Sequence, residues 1–138
     1  MRKVPNFDLW IGNIGDFSNP REILQLGIQA IVELADNEPM TQLPRDLIRC
    51  RFPINDGDDE RLWLLRLAVE TTATLLSSEV SVLVCCSNGM NRSVCIAAGA
   101  LVVLEGVSPQ TALSAVVQTG PSDVSPALFH RLVTALRS

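Results

Sequence analysis

Apolar and polar positions along this chain change period several times, and each change marks an element. FDLWIGN (7–13) sets its apolar residues on alternating faces, the two-residue period of a short strand. Asn19-Pro20 follows as a helix N-cap with proline at the first helical position, and REILQLG ends on a glycine stop. QAIVELA (29–35) is a continuous apolar run, the pattern of a parallel strand covered on both faces. LIRCRFPI (47–54) predicts the next strand, and NDGDDE an acidic loop after it. From Asp59 to about Ser77 the period turns helical, with Leu62, Leu65, Val69 and Leu76 on one side. VSVLVCC (80–86) predicts a central strand, and Arg92 to Glu105 a strongly apolar helix stopped by Gly106. Ser108-Pro109 opens a further helix to about Gln118. After the TGPSDVSP turn a last helix covers Pro126 to Leu136. Strands alternating with helices predict an α/β fold, with residues 1–138 forming one domain. Its core is a single, mostly parallel sheet of about four to five strands flanked by helices.

Composition narrows the function classes. Apolar residues make up 47% and charged residues 19%, enough to bury a core and too few charges for disorder. A net charge of −4, with no basic cluster longer than two residues, argues against a nucleic-acid or anionic-membrane surface. No apolar run is long enough to span a bilayer, and MRKVPNFDLWIGN lacks an apolar signal core. The expected compartment is therefore the cytoplasm, where cysteines stay reduced. Cys50, Cys85, Cys86 and Cys95 include no C-x-x-C pair, and His130 is the one histidine, so no metal site is expected. The expected state is a monomer.

The chemistry concentrates in VLVCCSNGMNRSVCIAAGAL (82–101), which reads as strand, glycine-bearing loop and helix. In that arrangement the backbone N–H groups of Ser87, Asn88, Gly89, Met90 and Asn91 can curl into an anion nest at the positive end of the helix. The pattern is not the G-x-x-x-x-G-K-[ST] nucleotide loop. It begins at Cys86 and ends at Arg92. A thiol at the bottom of such a nest is held as thiolate, and an arginine at the rim can grip two phosphate oxygens. Cys86 thus reads as a nucleophile aimed at phosphorus and Arg92 as the clamp for the transferring group. The plain alternative is a chance Cys-x5-Arg around a small core cysteine. The flanking strand and helix weigh against it. Cys50 and Cys95 read as core residues, Trp10 and Trp63 as packing residues, and His130 as a surface or packing residue.

C-S-N-G-M-N-R-S resembles the Cys-x5-Arg-Ser signature of the cysteine-dependent protein phosphatases, especially the small, atypical dual-specificity class. The resemblance spans nearly the whole chain. DLWIGN followed by LGIQAIVELA is similar to the N-terminal strand, helix and strand of that class, FPINDGDDE to its acid loop, and VSPALFHRL to its C-terminal helix. It implies a phosphotyrosine-phosphatase-like fold, a phosphocysteine intermediate, and no metal or other cofactor. Such chemistry needs an acid for the leaving oxygen and later a base for the hydrolytic water. Asp56, on the loop after the preceding strand, is the candidate on its position and by resemblance. Asp58 and Asp59 are close rivals whose plainer role is to cap and charge the next helix. Ser93 would donate a hydrogen bond to the Cys86 sulfur and help it leave, or serve as a helix N-cap, or both.

Two departures bear on activity. The family usually has histidine before the nucleophile, where this chain has Cys85, and a thiol hydrogen-bonds only weakly. The arginine that the family carries before the last turn is absent from QTGPSD. The alternative to an active enzyme is therefore a weak or inactive phosphate-binding pseudophosphatase. By resemblance the substrate is phosphotyrosine in proteins, then phosphoserine or phosphothreonine, with small phosphomonoesters also accepted. The loop interior, Ser87 to Asn91, carries no lysine or arginine, which disfavours phosphoinositides. A redox pair of Cys85 and Cys86 would need a strained ring across opposite strand faces. Oxidation of Cys86 onto a neighbouring strand, with Cys50 as partner, is the more feasible regulatory event.

Overall fold

The computed structural model describes residues 1–36, 42–56 and 59–137. Five strands are present among them: β1 (Arg2–Lys3), β2 (Leu9–Asn13), β3 (Ala30–Glu33), β4 (Ile48–Arg51) and β5 (Val82–Cys86). The helices are α1 (Pro20–Gln25), α2 (Leu62–Ser77), α3 (Arg92–Glu105), α4 (Pro109–Val117) and α5 (Pro126–Arg137). The strands make one sheet in the order β1-β2-β5-β3-β4. All neighbours are parallel except β1, which runs antiparallel to β2. This is the expected α/β architecture, with β5 in the centre.

Local chemistry explains most boundaries. Asn19 accepts the N–H of Glu22 and Pro20 opens α1, while Ser108 caps α4 ahead of Pro109. Gly106 ends α3 in the left-handed conformation at φ 66°. Two elements escape the apolar pattern. β1 is only two residues long, and a 3-10 turn, Ile14–Ser18, is held by a capping box between Asn13 and Asp16.

The sheet separates two apolar layers. On one face Leu9, Ile11, Val32, Val84 and Cys86 pack with residues of α2, α3, α4 and α5, including Leu65, Val69, Ile96, Val116 and Leu132. On the other, Ile31, Leu83 and Cys85 meet Phe17, Ile23, Ile28 and Leu47, a thinner layer backed by α1 and the 3-10 turn. The alternation of β2 is visible here, since Leu9 and Ile11 join the first layer and Trp10 the second. Trp63 corrects the packing expectation: it is 63% exposed on α2, on the face opposite Leu64, Leu65 and Ala68. Among the described residues no helix is long and apolar enough to cross a membrane.

Candidate active site

In an open parallel sheet, ligands gather where strands end and neighbouring connections diverge. The carboxyl ends of β2, β5 and β3 lie side by side, with Asn13 paired to Cys86 and Glu33 to Cys85. The loop leaving β5 turns over this edge into α3. Gly89 makes that turn possible. Its φ is 72°, and a Cβ there would stand 2.8 Å from the Gly12 carbonyl oxygen of β2, a backbone atom that cannot swing aside.

A cavity of about 260 Å³ opens over the loop, lined by Asp56, Cys86, Asn88, Met90, Asn91, Arg92, Asp123, Val124, Ser125 and Pro126. Cys86 lines it, buried, and its thiol donates to Ser93 Oγ at 3.3 Å. Ser93 is not the helix N-cap. Asn91 occupies that position without a side-chain cap, and Ser93 is buried one residue inside α3.

Arg92 is the first residue of α3 and only 2% exposed. Two nitrogens of its guanidinium are held by four contacts with the surrounding chain. Nη1 donates to the carbonyls of Leu34 (3.3 Å) and Ile54 (2.9 Å) and to Asp36 Oδ1 (3.1 Å), and Nη2 to Ser87 Oγ at 2.7 Å. Its Nε is buried with no hydrogen-bond partner, and Asp56 Oδ1 stands 3.5 Å away. A buried donor left without an acceptor costs free energy, and such a donor on the wall of a pocket marks where an oxyanion fits. Asp36, at the end of the β3 segment, is a site residue that the apolar pattern did not single out; its position beyond a strand's carboxyl end is the signal that could have found it.

The acidic loop sorts its carboxylates. Asp56 reaches the cavity, with its side chain 60% exposed. Asp58 lies outside the described residues. Asp59 is buried and does not line the cavity. It accepts the N–H of Asn55 (2.9 Å), the N–H of Arg61 (3.0 Å) and both Nε and Nη2 of Arg61 (3.0 and 2.7 Å). Burial would raise its pKa, but the Arg61 side chain, the two backbone donors and the Arg61 charge overcome this and hold it at about 2. A carboxyl so firmly ionised is a poor proton donor. Nor does Asp59 cap the helix as expected: α2 starts later than the periodicity indicates, with Arg61 at the N-cap position, and Asp59 braces the loop instead.

The remaining cysteines do not line the cavity. Cys85 faces the thin layer, and burial first, then the charges of Glu33, Cys86 and Asp16, push its thiol well up. Cys95 is buried in α3 and is pushed up to about 12, chiefly by burial. Cys50 is half-buried on β4, in register with Val32 of β3, which pairs in turn with Val84 of β5. Two strand spacings place Cys50 roughly 10 Å from β5, beyond the reach of a disulfide. Cys50 is therefore not the redox partner of Cys86. His130 is exposed on α5.

No family model and no curated protein matches the sequence. Solved structures do match it in fold. Human DUSP28 superposes with a TM-score of 0.87 at 19% identity, over 99% of this chain and 96% of that one. A mouse candidate dual specificity phosphatase complexed with zinc tungstate gives 0.86 at 22% identity, over 99% and 86%. Human tyrosine phosphatase-like serine/threonine/tyrosine-interacting protein gives 0.82 at 18% identity, over 96% and 92%. The chain thus has the fold of the small dual-specificity phosphatases.

Proposed function

We propose that this chain hydrolyses phosphomonoesters through a phosphocysteine intermediate, with phosphotyrosine in proteins as the substrate and phosphoserine or phosphothreonine as a second class. The observation that carries the reading is Arg92, a lining residue of the Cys86 cavity whose buried Nε has no hydrogen-bond partner while Nη1 and Nη2 are tied to the surrounding chain. A phosphoryl oxygen supplies that acceptor. The nest of N–H groups from Ser87 to Asn91 takes the others.

In the first step the Cys86 thiolate attacks phosphorus, the bond from phosphorus to the ester oxygen breaks, and Asp56 gives that oxygen a proton. In the second step water attacks the phosphocysteine, Asp56 takes the proton, and sulfur leaves as thiolate. The Ser93 hydroxyl then donates to that sulfur from the 3.3 Å contact. Arg92 holds charge that builds on the equatorial oxygens in both steps. Met90 and Val124 give the cavity apolar sides suited to an aryl ring, and among the described residues Arg92 is its one cationic lining residue, which favours a single phosphate over a polyphosphorylated ring.

One observation favours a second reading. Cys85, where the family has a histidine, is a neutral buried thiol on the far face of β5, so it gives the loop no charged support. A slow enzyme or a phosphate-binding pseudoenzyme would follow. Turnover of an aryl phosphate, with and without a chelator, decides between them. The expected result is chelator-insensitive hydrolysis, abolished in Cys86→Ser while tungstate binding persists. Binding without turnover in the wild type would establish the pseudoenzyme, and full activity in Cys86→Ser would rule out the thiolate mechanism.

A further inference from the structure

Asn91 closes the phosphate loop just before Arg92, and its side chain is engaged on both sides. Its Nδ2 donates to the carbonyl oxygen and to Oδ1 of Asp56, each at 2.9 Å. Its Oδ1 accepts the backbone N–H of Ser125 at 2.9 Å, and the Cys95 thiol donates weakly to it at 3.9 Å. A carboxamide suits this place because it presents two protons on one side and an acceptor on the other. Asp56 needs such a tether. Its side chain is 60% exposed, and an exposed carboxylate samples several rotamers unless something fixes it.

Among the described residues, the other side chain facing Asp56 Oδ1 is Arg92, an ion pair at 3.5 Å from Nε without a hydrogen bond, and Nε is the donor that an incoming phosphoryl oxygen would claim. Once substrate engages Arg92, the Asn91 amide is what remains to aim the carboxyl. The loop is also pinned one residue earlier, where Asn55 donates its N–H to Asp59. From this geometry we propose that Asn91 is a positioning residue that docks the acid loop on the phosphate loop and directs Asp56 at the leaving oxygen. The inference rests on reading Cys86 as nucleophile and Asp56 as acid.

The test compares kcat/KM for aryl phosphates of graded leaving-group pKa in the wild type, Asn91→Ala, Asn91→Asp, Asp56→Asn and the double variant Asp56→Asn/Asn91→Ala. Misplacing a catalytic group by about 1 Å costs on the order of 100-fold, so Asn91→Ala should lose roughly 10- to 100-fold with a poor leaving group and little with an activated one. Asp56→Asn should show the same trend with a loss of about 10²–10⁴. Adding Asn91→Ala to Asp56→Asn should cost little more, because the two act through one proton transfer. Asn91→Asp keeps the acceptor for Ser125 but loses both donors, and should follow alanine. A loss uniform across leaving groups, full additivity with Asp56→Asn, or wild-type behaviour in Asn91→Asp would each overturn the proposal while leaving the enzyme reading intact. A wild type that turns over none of these esters would overturn the enzyme reading itself, and this proposal with it.

Discussion

Adjacent residues of an extended strand project to opposite faces, and the two cysteines that end β5 are divided by that rule. Cys86 joins the thick layer and opens on the cavity, while Cys85 lies under the thin one, 1% exposed, among Ile31, Leu83 and Phe17. Burial first, and then its acidic surroundings, raise the Cys85 pKa well above the usual thiol value, which leaves it a small apolar residue. Cys85→Ala should therefore keep aryl phosphate turnover close to wild type, whereas Cys86→Ser loses it. A Cys85→Ala protein as inactive as Cys86→Ser would make the two thiols a functional pair. The division between them was legible in the sequence, because strand periodicity sets it. The partners of Arg92 were not. Leu34, Asp36 and Ile54 come to it across 58, 56 and 38 residues, and no local pattern encodes such meetings.

At the scale of elements, the loop between β4 and α2 rests on one ionised group. The Asp59 carboxylate gathers Asn55 and Arg61, with its pKa lowered to about 2. A carboxyl held below its unfolded value stabilises the fold fully above about pH 5, and the contribution fades as pH falls toward 2. Its size is about 2 kcal/mol at neutral pH. In urea unfolding, Asp59→Asn should be less stable than the wild type by roughly that amount at pH 7, and the gap should close between about pH 5 and pH 2. A gap that stays constant over that range would mean that the charge is not what braces the loop. This bracing residue reads from the sequence as a helix cap, because the leucine periodicity runs to Asp59 and the helix itself waits for Leu62. The start and end of α3 are legible to the residue, since the glycine-bearing loop after β5 sets the one and a left-handed Gly106 the other. β1 is not, since two residues carry no period and take their strand form from pairing with Trp10 and Ile11.

For the whole molecule, the two faces of the sheet are unequally covered. Four helices lie over one, and the other carries α1, the 3-10 turn and a few loop residues. Local stability varies with such coverage, and the thinner layer should open without the rest. Cys85 reports on that event, since it lies beneath Phe17, Ile23 and Ile28 and reacts only when they lift. Ile23 and Leu65 are both fully buried, one in each layer, and either change to alanine should cost about 2–5 kcal/mol. Their effects on labelling should differ. In a Cys86→Ser background, with the modified cysteine located by peptide mapping, Ile23→Ala should speed labelling of Cys85 on the order of 30-fold or more, since each 1.4 kcal/mol is about tenfold. Leu65→Ala lowers global stability as much but should leave Cys85 labelling near the background rate at low denaturant, because the layer it weakens is the other one. Equal acceleration by the two variants would mean that the molecule opens only as a single unit. The expected difference has a consequence for the site. β5 carries Cys86 against the thick layer, so motion of the thin layer would leave Cys86, Arg92 and Ser93 anchored through α3.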